Sequence, residues 1–243
     1  MATPHTTFKA QEFIDEVLSL APRLAVFDCD GTLWSGDAGE RFFDWELRRG
    51  LVSEEISQWA RPRYADYRAG KVDEDTMCGE MVTMHRDLPV RKVEQAAEQF
   101  FDENFVQQIF PEMLELVQRL QNSGCEVWAV SSTNEWVIRA AMKHIGISEG
   151  RILAAAVEIE NGVVTNRLIR IPSGPGKPKA IHDVIGRQPD AAFGNSRWDS
   201  EMLAIAKHGF AVNPNPDLAQ LATERGWRIY FPDSVAADPN LKS

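Results

Sequence analysis

The feature that most constrains this chain is the apolar run Leu24-Ala25-Val26-Phe27, followed at once by Asp28-Cys29-Asp30-Gly31-Thr32. A run this short, bounded by Pro22 and by a polar turn containing glycine, reads as a strand buried on both faces. Such strands belong to parallel sheets covered by helices, so strand–helix alternation is required elsewhere. A helical pattern over residues 8–20 precedes the run. Beyond Pro111 the chain reads as a helix to about 122, a strand at 125–130 and a helix at 135–144. Two extended runs, 152–160 and 163–171, then flank Asn161-Gly162, a two-residue hairpin signal. A helix at 179–185, a strand at 191–193, a helix at 200–208 and a strand–helix–strand tail to 230 complete the pattern. The expectation is an α/β fold, a Rossmann-like parallel sheet flanked by helices.

Residues 37–104 have a different character. They show no strand pattern, only amphipathic helical stretches at 40–49, 54–67, 74–86 and 90–101, with sixteen acidic against ten basic side chains. This block reads as an inserted helical-bundle cap, and the core as residues 1–36 and 105–243. His85 and Arg86 read as solvated residues of the block. Trp34, Trp45, Trp59 and Trp198 read as packing.

The net charge of −10 argues against a nucleic-acid surface, which needs a basic stripe to neutralise phosphates. The start, Met1 to Thr7, is polar and resembles neither a signal peptide nor a membrane span. Cys29, Cys78 and Cys125 are odd in number and widely spaced, so a reduced, cytoplasmic setting without a disulfide framework is expected.

Ligands of open α/β sheets bind beyond the carboxyl ends of the strands. The polar residues there are Asp28, Asp30 and Thr32; Ser131, Ser132 and Thr133; and Asn195, Ser196 and Asp199, with Lys177 opening a helix between the last two groups. Two carboxylates two residues apart repel unless a cation lies between them. Oxygen donors of this kind, with Asn195 and Asp199, suit magnesium, which keeps waters and meets substrate phosphate. A carboxylate can attack phosphorus, and a second can protonate the leaving oxygen and then activate water. Lys177 and Ser131 would bind the phosphoryl oxygens. Lys177 is preferred to Lys179. Gly174-Pro175-Gly176-Lys177 is not a P-loop, because Pro178 follows the lysine.

The ensemble resembles the haloacid dehalogenase superfamily. Asp28-Cys29-Asp30-Gly31-Thr32 is similar to its first motif, Ser131 to its second, Lys177 to its third and Gly194-Asn195-Ser196-Arg197-Trp198-Asp199 to its fourth. The helical block after the first motif resembles the phosphoserine phosphatase-like branch. That resemblance implies a magnesium-dependent phosphatase acting on a small phosphorylated metabolite, with Asp28 as nucleophile and Asp30 as acid/base. Magnesium would sit on Asp28, the Asp30 main-chain carbonyl and the fourth-motif residues Asn195 and Asp199. Thr32, Ser131, Ser132 and Lys177 would meet the phosphate. Two positions depart from the branch. The first acid of the fourth motif is Asn195, which makes Asp199 the better metal candidate. The branch's substrate-carboxylate arginine falls on Met81 and its glutamate on Asp37, which argues against phosphoserine. Asp37 and Glu40 beside Trp34 instead raise the idea of a cationic leaving group. Phosphotransfer to another acceptor, dehalogenation, and phospho-ligand binding without turnover are the rival readings; Asp30 speaks against the dehalogenase.

Overall fold

The computed structural model describes residues 7–234, so most of the polar start and residues 235–243 of the core block lie outside the described residues. Among the described residues there are seven strands: β1 (Leu24–Phe27), β2 (Glu126–Asn134), β3 (Ile152–Glu160), β4 (Val163–Arg170), β5 (Ala191–Gly194), β6 (His208–Val212) and β7 (Arg228–Tyr230). They form one sheet in the order β4-β3-β2-β1-β5-β6-β7. Every pairing is parallel except β3 with β4. β1, with no polar residue, lies at the centre as an all-apolar strand should.

Alternation along β1 divides the core between the two faces of the sheet. Ala25 and Phe27 face α1 (Phe8–Ser19), α6 (Pro111–Asn122) and α7 (Glu135–Ile145). On that side Phe27 stacks on Phe193 at 4.1 Å and Phe193 on Phe210 at 4.8 Å. Leu24 and Val26 face α8 (Gly176–Val184), α9 (Ser200–Ile205) and α10 (Pro216–Arg225). The result is the α/β architecture expected from the pattern.

Two boundaries differ from the sequence pattern, and both matter for the site. β2 runs on past Val130 because Asn134 pairs with Ala155 after an irregularity in register. α8 starts at Gly176 rather than at 179. Pro178 falls in its first turn, where a missing N–H breaks no helical bond. Lys177 is thereby drawn into the helix start.

Between β1 and α6 lie α2 (Ala38–Arg49), α3 (Glu54–Arg68), α4 (Glu74–Thr83) and α5 (Val90–Asn104). Asp37, Ser53 and Asp73 cap the first three through their side chains. Phe43, Leu47, Val52, Ala60 and Met84 make a cluster of their own, whereas Phe42, Phe100 and Phe101 join the core on the α7 side of the sheet. The β3–β4 turn has Asn161 and Gly162 at φ 51° and 77°, as the hairpin signal requires. Beyond that turn, Val164 exchanges main-chain hydrogen bonds with Asp87 and Leu88, which ties the helical block to the sheet edge. No helix among the described residues is long and apolar enough to cross a membrane.

His85 corrects the reading that placed it in solvent; Arg86 is exposed as expected. The His85 ring is fully buried between Phe42 and Trp136, and its Nε2 lies 2.5 Å from Glu46 Oε2, while Nδ1 lies 3.2 Å from the Val82 carbonyl. Burial alone would lower the imidazolium pKa, but the Glu46 charge and hydrogen bonds outweigh it and the net shift is upward. Removing one member of a buried pair strands the other. Glu46→Ala is therefore expected to cost about 3–5 kcal/mol of stability, read as a lower midpoint in denaturant unfolding. An unchanged midpoint would mean that the imidazole finds water or another acceptor.

Candidate active site at the carboxyl ends of the strands

The chain leaves β1 toward β2 on one side and returns to β5 on the other, so the switch in winding lies at β1. A cavity of about 430 Å³ opens at the carboxyl ends of these strands and is lined by Asp28, Asp30, Asp37, Ser131, Ser132, Lys177 and Asn195. A groove of about 1000 Å³ between α3, α4 and β4 is larger but contains none of these residues. Chemistry rather than size selects the smaller cavity.

Asp28 stands immediately after β1 and is 7 % exposed. Its Oδ1 accepts a hydrogen bond from Lys177 Nζ at 2.6 Å, and its Oδ2 accepts one from Thr32 Oγ1 at 2.9 Å. Burial first, and the nearby Asp199 second, push its pKa up to about 6 against the pull of Lys177 and Thr32. Lys177 is 2 % exposed and directs its ammonium at three acceptors: Asp28 Oδ1, Asp199 Oδ1 at 2.6 Å and the Val130 carbonyl at 3.1 Å. Burial would lower its pKa, but the two carboxylates more than compensate and hold it well above the ordinary lysine range. Lys179, the alternative lysine, is exposed and pairs with Asp183.

Asp199 does not face the cavity as a free metal ligand. Its Oδ2 accepts from the Asn195 and Ser196 amides and the Ser196 hydroxyl, while Oδ1 holds Lys177. It fixes the β5–α9 loop and the lysine together. A Cβ at Gly194 would stand 2.5 Å from Asp199 Cβ, so glycine is required for this approach.

Asp30 is half-buried in the same cavity as Asp28 but is held by a separate set of donors. Oδ1 accepts from Trp34 Nε1 at 2.8 Å and from the Ala38 amide at 2.6 Å; Oδ2 accepts from Thr133 Oγ1 at 2.7 Å. Burial first, then the Asp37 charge, raise its pKa to about 8 against these hydrogen bonds. Two acids of one cavity thus have pKa values raised to different extents by their different surroundings, a division suited to acid/base work. Cys29, between them, is fully buried, with its thiol pushed far up by burial, as befits a small hydrophobic residue.

Among the described residues no three His, Cys, Asp or Glu side chains converge as a metal cage. Gly31, at φ 74°, is approached by Asn195: an added Cβ would lie 1.9 Å from its Nδ2. The carboxamide therefore reaches the Asp28–Gly31 turn. Asp28, that turn's main chain and Asn195 make an all-oxygen donor set with one carboxylate, which suits a hydrated magnesium ion. Ser131 is almost fully buried at the cavity floor. The capping of α7 is done by Asn134, not by Ser131, Ser132 or Thr133.

The outer wall comes from the helical block: Asp37, Tyr67 and Glu74 line the cavity, and the Tyr67 hydroxyl donates to Glu74. A small adjoining pocket adds Glu40, Tyr64 and Met81. Trp198 lines the mouth and is 41 % exposed, and Trp59 is also exposed, so neither belongs to the buried packing that the sequence pattern suggests. Sequence reasoning missed Tyr67 and Glu74, which carry no motif. It also missed Asn213, which follows β6 and donates to the Gly31 carbonyl at 3.1 Å. The strand-end rule, applied to β6, would have found it.

Residues 25–204 match the family described as haloacid dehalogenase-like hydrolase. A histidinol-phosphatase of Neisseria meningitidis is 26% identical over 217 residues, covering 85% of this chain and 97% of that protein. A phosphoserine phosphatase of Mycobacterium tuberculosis is 29% identical over 138 residues, 54% of this chain and 44% of that protein. Among solved structures, a protein of unknown function from Bordetella pertussis Tohama I has a TM-score of 0.72 at 22% identity, covering 86% of this chain and 97% of that chain. The phospho-aspartyl intermediate analogue of phosphoserine phosphatase has a TM-score of 0.55 at 19% identity, covering 87% and 93%. At such identities the structural likeness speaks for the fold alone.

Proposed function

The chain belongs to the haloacid dehalogenase-like hydrolases, and from that premise we propose that it hydrolyses a small phosphomonoester through an aspartyl-phosphate intermediate on Asp28. One observation carries the reading: two carboxylates share a cavity but are held by separate donors, Asp28 by Lys177 and Thr32, Asp30 by Trp34, Ala38 and Thr133. Asp28 attacks phosphorus while Asp30 gives its proton to the departing alcohol oxygen. Asp30, now ionised, takes a proton from water as that water attacks the phospho-aspartate, restoring Asp28 and releasing phosphate. Lys177 offsets the charge of Asp28 and of the incoming phosphoryl group, Asp199 positions Lys177, and Ser131 with Ser132 offers hydroxyls to the phosphoryl oxygens. Magnesium, held by Asp28, the Asp30 main-chain carbonyl and Asn195, would supply further neutralisation of phosphoryl charge. The segment 37–104 acts as a cap that closes over the cavity and excludes water.

The leaving group is proposed to be a cationic amino alcohol. Asp37 and Glu74 face the cavity with Tyr67, Met81 brings no charge, and among the described residues Lys177, already paired, is the one Lys or Arg on the lining. The name of the Neisseria relative fits, since histidinol is an amine-bearing alcohol. The three free cysteines support a reduced, cytoplasmic setting.

Phosphate release from p-nitrophenyl phosphate is expected with magnesium, lost on chelation and restored by adding the metal back. Histidinol phosphate, phosphocholine, phosphoserine and glycerol phosphate then test the leaving group. A charged hydrogen-bonded contact is worth about 1.5–3 kcal/mol, so kcat/KM should favour the cationic esters over glycerol phosphate by about tenfold or more. Equal turnover would remove the cation from the proposal. Binding of these esters without phosphate release would leave a binding protein, and transfer to an added alcohol in preference to water would leave a phosphotransferase.

A further inference from the structure

Asp30 is reached by donors from three separate segments, and two of them lie outside any motif. The χ2 torsion of an aspartate is broad and roughly two-fold, so an unheld carboxylate samples many orientations. Here both oxygens are claimed. Trp34 comes from the loop after β1, Ala38 is the first residue of α2, and Thr133 lies at the end of β2.

The Trp34 indole cannot follow a wandering partner. It is fully buried, edge-on to Phe101 of α5 at 5.4 Å, and its main chain bridges to Asp30 on one side and Ile109 on the other. Ser35 and Phe110 add hydrogen bonds to Gln108 and Leu33 across the same two segments. Thr133 reaches Asp30 only because residue 39 has no side chain: a Cβ on Gly39 would lie 2.6 Å from Thr133 Oγ1.

A buried indole N–H needs some acceptor, and satisfying it is the plain reading of the Trp34 bond. Three donors converging on one carboxylate go further, because together they fix which face of Asp30 is presented to the cavity. We infer that Trp34 is a positioning residue for Asp30, and that Gly39 serves the same end by admitting the Thr133 hydroxyl. This rests on the proposed role of Asp30 as the acid that protonates the leaving alcohol.

The test compares two esters that differ in their need for that proton. An alkoxide leaves poorly without protonation, whereas p-nitrophenolate leaves readily. The value of kcat/KM reports events up to formation of the phospho-enzyme, so it isolates the step in which Asp30 is the acid. For Trp34→Phe, kcat/KM for 2-aminoethyl phosphate is expected to fall about tenfold or more, and that for p-nitrophenyl phosphate less than about twofold. Gly39→Ala leaves the indole and its packing intact and is expected to move the ratio in the same direction, which keeps the test sound if Trp34→Phe folds poorly. A merely structural role lowers both substrates in proportion, and an unmoved ratio in both variants overturns the inference. A wild-type protein that releases phosphate from neither ester would remove the phosphatase reading and this inference together. Activity on both with an unmoved ratio would remove the inference alone.

Discussion

Asp28→Asn is expected to abolish phosphate release, lowering kcat by at least about 10⁴, the scale seen when an enzyme loses its nucleophile. The substitution keeps the shape of the side chain but replaces the attacking oxygen or its neighbour with an amide nitrogen that has no lone pair to offer. It also disturbs the pairing beneath. Lys177 donates to Oδ1 and Thr32 to Oδ2, so an NH₂ in the Oδ1 position would present a donor to a donor. Turning the amide spares the lysine, because the Thr32 hydroxyl can rotate and accept from the NH₂. The fold should survive, because β1 and its stacked phenylalanines are untouched. The check is single-turnover phosphate release from p-nitrophenyl phosphate beside a circular dichroism spectrum. Activity within tenfold of wild type, from a folded variant, would show that another group attacks phosphorus.

Legibility in the sequence followed the strength of local physics. β1 could be read because four apolar residues meet two acids and a glycine, and that conjunction has few other uses. The β3–β4 hairpin could be read because Asn161 and Gly162 both need positive φ, and the chain supplies residues that accept it. The start of α8 could not. Pro178 argued for a helix beginning after it, and only the tolerance of a helix's first turn for proline allows α8 to start earlier. The role of Asp199 was equally hidden. An acid four residues beyond Asn195 looks like a ligand on paper; in three dimensions its oxygens are taken by Lys177 and by two amides of its own loop. His85 and Glu46 are thirty-nine residues apart, with no periodic signal to link them, so His85 reads from the sequence as solvent-facing. Long-range polar pairing is set by tertiary packing, and it is the part of a site that local patterns reveal least.

Lys177→Met tests that hidden pairing where its consequence is largest. The ammonium is buried, and two of its three acceptors are carboxylates. Methionine fills comparable volume but leaves Asp28 and Asp199 facing each other with no counter-charge. Stranding buried charge in this way costs about 3–5 kcal/mol. For a chain of this size 1 kcal/mol moves Tm by about 2–4 °C, so a fall of about 6–20 °C is expected. The loss should depend on pH in a defined direction. Burial and repulsion from Asp199, no longer opposed by Lys177, raise the Asp28 pKa further above its unfolded value. Groups raised in this way favour the folded state when protonated, and that contribution is lost as pH rises through the folded pKa. In chelator, the gap in Tm between wild type and variant should therefore be smallest near pH 5 and widen toward pH 8. Catalysis should fall by about 10²–10³ as well, since the phosphoryl group loses its fixed cation. Lys177→Arg should not restore either property, because a planar guanidinium cannot replace a compact ammonium with three convergent acceptors. A variant that melts with wild type across this range would mean that the lysine neither balances the buried charge of Asp28 and Asp199 nor holds Asp28 ready to attack.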